Sequence, residues 1–426
     1  MKYTSRLEFK TLARTTLAAC LCFLFALPAG AQGDLTGGVG QFAIQPRKER
    51  VVAAAKPKPP AVKAGPRVTP NERLLAAAGS GDAAAVAGSL GQGADANARS
   101  KEGCAALVYA VAGKDKAAAQ SLLTKGADAN ARCADGVTAL MVAAEAGDTE
   151  TTQTLIERGA DTNAKTTDGR TALIFAASNG QLAVVRALLA KGADINARYK
   201  DGRTPLFFAS ANGFAAVAEE LLAKGADVNA RSDDGWTPLL WASWFGHTDV
   251  VKLLLEHSAD ARARDKDNDT ALMKAATQGQ TAVVQMLLAR GAEADARGNG
   301  GGTSLLFAAS RPAGYDVVEA LLAKGADVNA RNDAGMTPII LAAAYGRVPT
   351  LEVLLDKGAD VNAHTPKGFS ALIAAANKGL AATVQLLIEH GADVNAKYED
   401  GRTALAFAEQ NGQTKVVEIL KNAGAK

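Results

Sequence analysis

Histidine and cysteine are scarce in this chain, at four residues each in 426. Chemistry that leans on them has little to work with. No H-E-x-x-H, C-x-x-C or G-x-S-x-G pattern occurs in the repeated part of the sequence, which excludes the zinc-peptidase, thiol-redox and serine-hydrolase constellations. Gly300-Gly301-Gly302 lacks the Lys-Ser/Thr that a phosphate loop requires. Aromatic residues make up only 5%, while Ala, Leu and Gly are abundant; that balance suits helices packed through small side chains better than a β-sandwich. The apolar run Leu17–Leu27 falls short of the roughly 20 residues that span a bilayer. A dominant charge is missing too. The formal total is +3, of which residues 1–31 contribute +3 and residues 32–70 contribute +5, leaving −5 on residues 71–426. A mildly acidic body lacks the electrostatic footprint of a nucleic-acid-binding protein.

What is present begins with an export signal. Lys2, Arg6, Lys10 and Arg14 precede the apolar run, and Ala29-Gly30-Ala31 offers a small-x-small cleavage site. This is the order of a secretory signal peptide over residues 1–31, and it places the mature chain, starting at Gln32, in a bacterial periplasm or outside the cell. Leu17-Ala18-Ala19-Cys20 resembles a lipoprotein box, but the apolar stretch that such a box needs before its cysteine follows it here. A lipid on Cys20 is not expected. Residues 32–70 hold Gly37-Gly38 and Lys56-Pro57-Lys58-Pro59-Pro60 with few large apolar side chains, the composition of a disordered, semi-rigid linker. Its basic residues between 47 and 67 suit either a solvated linker or weak contact with an anionic envelope surface.

From residue 71 onward the chain repeats. Gly103, Gly136, Gly169, Gly202 and Gly235 lie 33 apart, followed by Asn268, Gly301, Gly335, Gly368 and Gly401, with one step of 34. The apolar series Leu107, Leu140, Leu173, Leu206, Leu239, Leu272, Leu305, Ile339, Leu372 and Leu405 keeps the same register. Such a period marks a solenoid. Within one unit, Asp201-Gly202 signals a tight turn, Thr204-Pro205 an N-cap and first helical residue, and Asn212-Gly213 the end of a first helix. Val217, Leu221 and Leu222 follow at helical spacing, and Gly225 closes the second helix. Ala209 is small so that neighbouring helices can approach.

The motifs D-G-x-T-P-L at 201–206, A-S-x-N-G at 209–213 and L-L-A-K-G-A-D-V-N-A at 221–230 resemble the ankyrin repeat family, and the match recurs across essentially all of 71–426. The resemblance implies an all-α solenoid of about eleven helix-turn-helix units with β-hairpin loops. Residues 71–100 would form an N-terminal cap, 101–399 the central repeats and 400–426 a C-terminal cap carrying Glu409, Lys415, Lys421 and Lys426. One departure stands out. The histidine usual after the T-P-L leucine is absent, and Val108, Met141, Ile174, Phe207, Leu240 and Met273 take its place, so apolar packing is expected where the family has a His-to-Thr bond.

The resemblance also implies a non-enzymatic scaffold that binds another protein through a concave face built from loop tips and first helices. Carried over by position, the tip row is Arg170, Arg203, Trp236, Asp269, Gly302, Met336, Phe369 and Arg402, and the first-helix row includes Asn179, Asn212, Trp244, Phe245, Gln278, Arg311, Tyr345 and Lys378. All three tryptophans fall in one unit, at 236, 241 and 244. Trp236, Trp244 and Phe245 are the expected aromatic centre of the contact, with Arg203, Asn212, Asp269 and Gln278 as a mixed-charge rim and Trp241 as core. Met336, Tyr345 and Phe369 form a second candidate patch. His257 and His390 sit at the ends of second helices, where a cation suits the helix dipole. Catalytic residues, a metal, a cofactor and nucleic acid are not expected, and the chain is read as a monomer. Two other readings remain open: an envelope-attached structural protein held by its basic segment, or a secreted effector that inhibits another protein.

Two further features fall outside the regular pattern. Ser258 replaces a helix-ending Gly, Arg262 the usual Asn and Asn268 the turn Gly, while Gly298–Gly302 loosens a loop and Arg311-Pro312-Ala313-Gly314 holds the extra residue. Cys104 and Cys133, the two cysteines beyond the cleavage site, lie on adjoining loops; an oxidising compartment would permit a bridge between them.

Overall fold

The computed structural model describes residues 68–312 and 314–426. The signal peptide, Cys20, the cleavage site and the basic residues 47–67 lie outside them. The described chain forms eleven helix-turn-helix pairs, from Pro70–Ser80 and Ala83–Gly91 to Ala404–Gln410 and Thr414–Asn422. It divides into two compact units. One comprises residues 68–299 and 303–327 and contains eight of the pairs; the other comprises 300–302 and 328–426 and contains three.

The local chemistry works as the motifs require. Thr204 is extended and accepts a bond from the Phe207 N–H, and Pro205 opens the helix Pro205–Asn212. Pro lacks only an N–H that the first turn could not have paired. Gly213, at φ 77°, ends that helix in the left-handed region, and the second helix, Ala215–Ala223, follows at once. Leu206, Ala209, Val217 and Leu221 are buried, each leucine contributing roughly 2 kcal/mol by leaving water. The residues standing in for the family's histidine, Val108 through Met273, are all buried. The threonine caps survive without it: Thr138, Thr171, Thr204, Thr237 and Thr270 each accept from the backbone N–H three residues on. The first helix opens on Thr69, which forms a capping box with Glu72, so the chain is helical from Pro70, the last position of the expected linker.

Neighbouring repeats are tied by polar rungs as well as by leucine packing. Asn130 Oδ1 accepts from the Asp161 N–H at 2.7 Å while its Nδ2 donates to the Gly159 carbonyl at 2.9 Å. Asn97, Asn163 and Asn362 repeat this pair of bonds. The rung weakens where the sequence departs: Arg262 keeps only a donor to Gly291 O at 3.4 Å, and Asp295 keeps only the acceptor for Asp327 N.

The expected β-hairpin loops are not formed. Among the described residues there is no strand, only isolated antiparallel bridges such as Arg99 to Ala105 and Arg132 to Thr138. Each regular tip closes with two bonds across the turn, as from Gly136 N to Cys133 O at 2.9 Å with Cys133 N to Val137 O at 2.8 Å, or from Gly235 N to Ser232 O with Ser232 N to Trp236 O, both at 2.9 Å. The next residue is already the helix N-cap, so pairing stops at an isolated bridge and no ladder extends from it. The tips bond sideways instead, Lys200 N to Asp168 O, Asp233 N to Asp201 O and Lys266 N to Asp234 O at 2.8–3.0 Å.

The irregular stretch keeps the fold at the cost of backbone strain. Ser258 stands at φ 66° and Asn268 at φ 62°, in the left-handed region that a side chain disfavours. Lys114, at φ 60°, is a third such residue that the sequence pattern does not single out.

Candidate protein-binding site

The site grows from three repeat positions that converge on the loop tips in the larger unit. The first is the tip residue after the turn glycine. The second lies five residues on, in the first helix. The third is the entering leg of the loop. In three repeats of the chain they make the same arrangement: a tip arginine paired with the acid two residues before it and laid over the first-helix aromatic. Arg170 holds Asp168 at 3.0 Å with its guanidinium carbon 4.9 Å from the Phe175 ring centre. Arg203 holds Asp201 at 2.5 Å and lies 5.2 Å over Phe208 and 5.3 Å over Tyr199. In the smaller unit, Arg402 holds Asp400 at 2.6 Å and lies 4.1 Å over Phe407. Hydrogen bonds from Arg402 hold the Asp400 carboxyl below its ordinary range.

The tryptophan repeat breaks this pattern. Its tip residue is Trp236 and its first-helix aromatic is Trp241, with ring centres 4.9 Å apart. Trp241 stacks on Phe245 at 5.3 Å and meets the Phe207 edge at 5.5 Å, and Trp236 meets Trp244 edge-on at 6.3 Å. Trp236, Trp241 and Phe245 are half-exposed, whereas Trp244 is buried. Position 241, expected in the core, is therefore at the surface, because it points to the tip row as Phe175 and Phe208 do. Trp244 packs beneath Trp236.

The following repeat reverses the charges. Lys274 occupies the first-helix position, buried between Asp265 and Asp269 at 2.8 Å from each, with its ammonium 4.8 Å over Trp236. Two carboxylates face one ammonium, so the cluster carries a net negative charge beside the aromatic rings. Burial lifts the Asp269 carboxyl above its ordinary range against the pull of Lys274, and repulsion from Asp265 and Asp267 adds to the lift. Lys274 and Asp265 escaped the sequence reading. The signal lay in the register: position 274 is apolar or aromatic in the other regular repeats, from Tyr109 to Phe407.

The remaining expected residues divide as follows. Arg203 is committed to its own ring and acid. Asn212 is half-buried and donates to the Phe208 and Ser178 carbonyls, and Gln278 is half-buried. In the smaller unit Met336 and Phe369 are buried, and only Tyr345 is half-exposed, beneath Arg347 at 5.8 Å. Cys104 and Cys133 stand with Cα atoms 3.8 Å apart and their sulfurs joined. His257 and His390 cap second helices. Among the described residues no group of three or more His, Cys, Asp or Glu is placed to hold a metal ion, and no helix is long and apolar enough to cross a membrane.

The described chain is a helical-repeat solenoid whose distinctive side chains gather on its loop tips. The family model described as ankyrin repeats, in three copies, matches in overlapping windows from residues 74–166 to residues 339–426. The chain belongs to the ankyrin repeat family, a non-catalytic class whose arrays mediate protein–protein interaction. A comparison with curated proteins finds no match.

Proposed function

We propose that this chain is an exported protein-binding scaffold that grips its partner through Trp236, Trp241 and Phe245. The observation that carries the reading is the gathering of all three tryptophans of the chain in one repeat, with two of them half-exposed at the tip row. Half-exposed aromatics rimmed by polar groups are the usual anchors of an interface. The rim here is Arg203 and Asn212 on one side and Asp269 and Gln278 on the other. A mixed-charge rim favours a protein surface over a strongly anionic polymer. The signal-like order of residues 1–31 supports a site of action outside the cytoplasm.

A photo-cross-linking residue placed at Trp236 of the full chain in its native cell should trap a discrete partner, while the same residue at exposed Glu157 should not. Truncating an aromatic anchor commonly costs about 2 kcal/mol, roughly thirtyfold in affinity. Trp236→Ala with Trp241→Ala should therefore abolish capture without loss of helix content. Wild-type capture by that folded double variant would place the contact elsewhere. N-terminal sequencing should find Gln32; an intact Met1 or a lipid on Cys20 would remove the export reading.

A further inference from the structure

The three arginine clamps provide an internal standard against which the tryptophan repeat is incomplete. In each clamp a carboxylate fixes the guanidinium from the side and an aromatic ring takes its face. In each, the ring is buried under the arginine: Phe175, Phe208 and Phe407 are all at or below 4% exposure. The tryptophan repeat retains two of the three parts. Asp234 stands at the position of Asp168, Asp201 and Asp400, and Trp241 at that of Phe175, Phe208 and Phe407. The third part is gone, because Trp236 occupies the arginine's place. Among the described residues Asp234 has no ion-pair partner and no cation lies over Trp241. Asp234 is exposed and Trp241 half-exposed, where the clamped rings are covered.

We infer that Asp234 and Trp241 form the receiving half of a clamp for an arginine presented by the partner protein. The inference rests on the protein-binding reading above and narrows it to a partner chemistry. Of the nearby cations of the chain itself, Arg203 is held in its own clamp, Arg231 by the Arg264 carbonyl and Lys274 between two carboxylates, while Lys266, whose backbone N–H meets the Asp234 carbonyl, points its ammonium to solvent without pairing Asp234. The surplus carboxylate of the Asp265–Lys274–Asp269 cluster adds attraction for an incoming cation. Arginine fits better than lysine because a planar guanidinium can pair edge-on with a carboxylate while its face rests on a ring, and a compact ammonium cannot do both. The chain shows that geometry directly: Arg170 reaches the two oxygens of Asp168 through Nε at 3.1 Å and a terminal nitrogen at 3.0 Å while lying over Phe175.

The test exploits the confinement of tryptophan to this cluster, which makes intrinsic fluorescence of the full chain a local readout. The probe is a blocked Gly-Arg-Gly peptide, titrated beside Gly-Lys-Gly and the uncharged isostere Gly-citrulline-Gly. The arginine peptide should shift the emission saturably, and the citrulline peptide should bind roughly tenfold more weakly. Asp234→Asn should weaken the arginine peptide alone, and Trp241→Leu should remove its effect with the helix content unchanged. Equal response to arginine and citrulline peptides, or indifference to Asp234→Asn, would overturn the inference. Replacing the basic residues of 47–67 by Gln in the full chain should leave the tryptophan emission unaltered; a shift would assign the Asp234–Trp241 clamp to the chain's own segment instead. A partner cross-linked at Trp236 with no arginine near the link would defeat the clamp and leave the scaffold reading standing. A failure to trap any partner would defeat the scaffold reading itself.

Discussion

Lys274 is the residue whose replacement most sharply tests the energetics of this site. Its place is apolar or aromatic in the other regular repeats, so Lys274→Leu looks at first like a repair towards the pattern of the array. The structure says otherwise. The Asp265 side chain is 1% exposed and 2.8 Å from the ammonium. Removing the lysine strands that carboxylate, a change that commonly costs 3–5 kcal/mol. Two bonds to Asp265 Oδ1 survive, from Asp267 N at 3.0 Å and Asp269 N at 2.9 Å, and Leu gains apolar burial of about 1 kcal/mol. The net loss should then be about 2–3 kcal/mol. Adding Asp265→Ser, the residue found at Ser232 one repeat earlier, should recover most of it, because the pair as a whole offsets its own desolvation only narrowly. Urea unfolding followed by circular dichroism measures both variants. Hydrogen exchange should place the single variant's loss within residues 258–290, since repeat arrays couple mainly to their neighbours. A single variant as stable as wild type, or a double variant no better than the single, would refute the reasoning.

Three further outcomes are expected. Ser258→Gly should raise the unfolding midpoint by about 1 kcal/mol, since φ 66° at Ser258 carries a side-chain penalty that Gly avoids; an unchanged midpoint would mean the strain is relieved elsewhere. Cys104 and Cys133 should resist thiol labelling in the native protein, and their reduction should cost roughly 3–4 kcal/mol for a 29-residue separation on the loop-entropy argument; two freely reactive thiols would exclude the bridge. Because burial raises the Asp269 carboxyl in the folded chain, the folded state takes up that proton before the unfolded state does. Stability should therefore rise as pH falls from the raised value towards the ordinary aspartate range, and fall as pH rises through the same window. Asp269→Asn should flatten this slope in pH-dependent urea unfolding, and an identical slope in the variant would point to other groups.

The period and the caps were plain in the sequence because both are short-range: Thr204-Pro205 and Gly213 each act on their own turn of helix. The expected hairpin fails for a reason of scale. Extended legs on either side of a D-G turn look like strands, but a ladder must run on past its first bridge, and the helix that starts at the N-cap Thr138 or Thr237 turns the chain away before it can. The aromatic site was legible as a gathering of tryptophans, yet its orientation was not. Trp241 and Trp244 are three apart on one helix and differ by less than a third of a turn, so spacing alone could not say which would face the tips. Lys274 and Asp265 do not stand out in the sequence because charged residues in a repeat are ordinarily solvated. Only the register, which sets Lys274 among the buried Phe175, Phe208 and Phe307, marks the lysine as buried.

The glycine that ends most of the first helices has a meaning beyond its own backbone. A Cβ at Gly213 would lie 2.7 Å from the His247 ring, and one at Gly180 would lie 2.8 Å from Phe214. Gly147 and Gly246 likewise receive Gln181 and Gln280. Repeats built this way present a socket to a plug on the next, and the asparagine rungs, where the asparagine is kept, obey the same rule of position. Units that share these fittings are interchangeable: recombination between two of them at matching positions leaves each plug with a socket and each asparagine with an amide to receive. A 33-residue step keeps the same fittings in register, but the tryptophan repeat borrows Phe207 from the repeat before it and Lys274 from the one after, so a change of place in the array would change the setting of its aromatic rings.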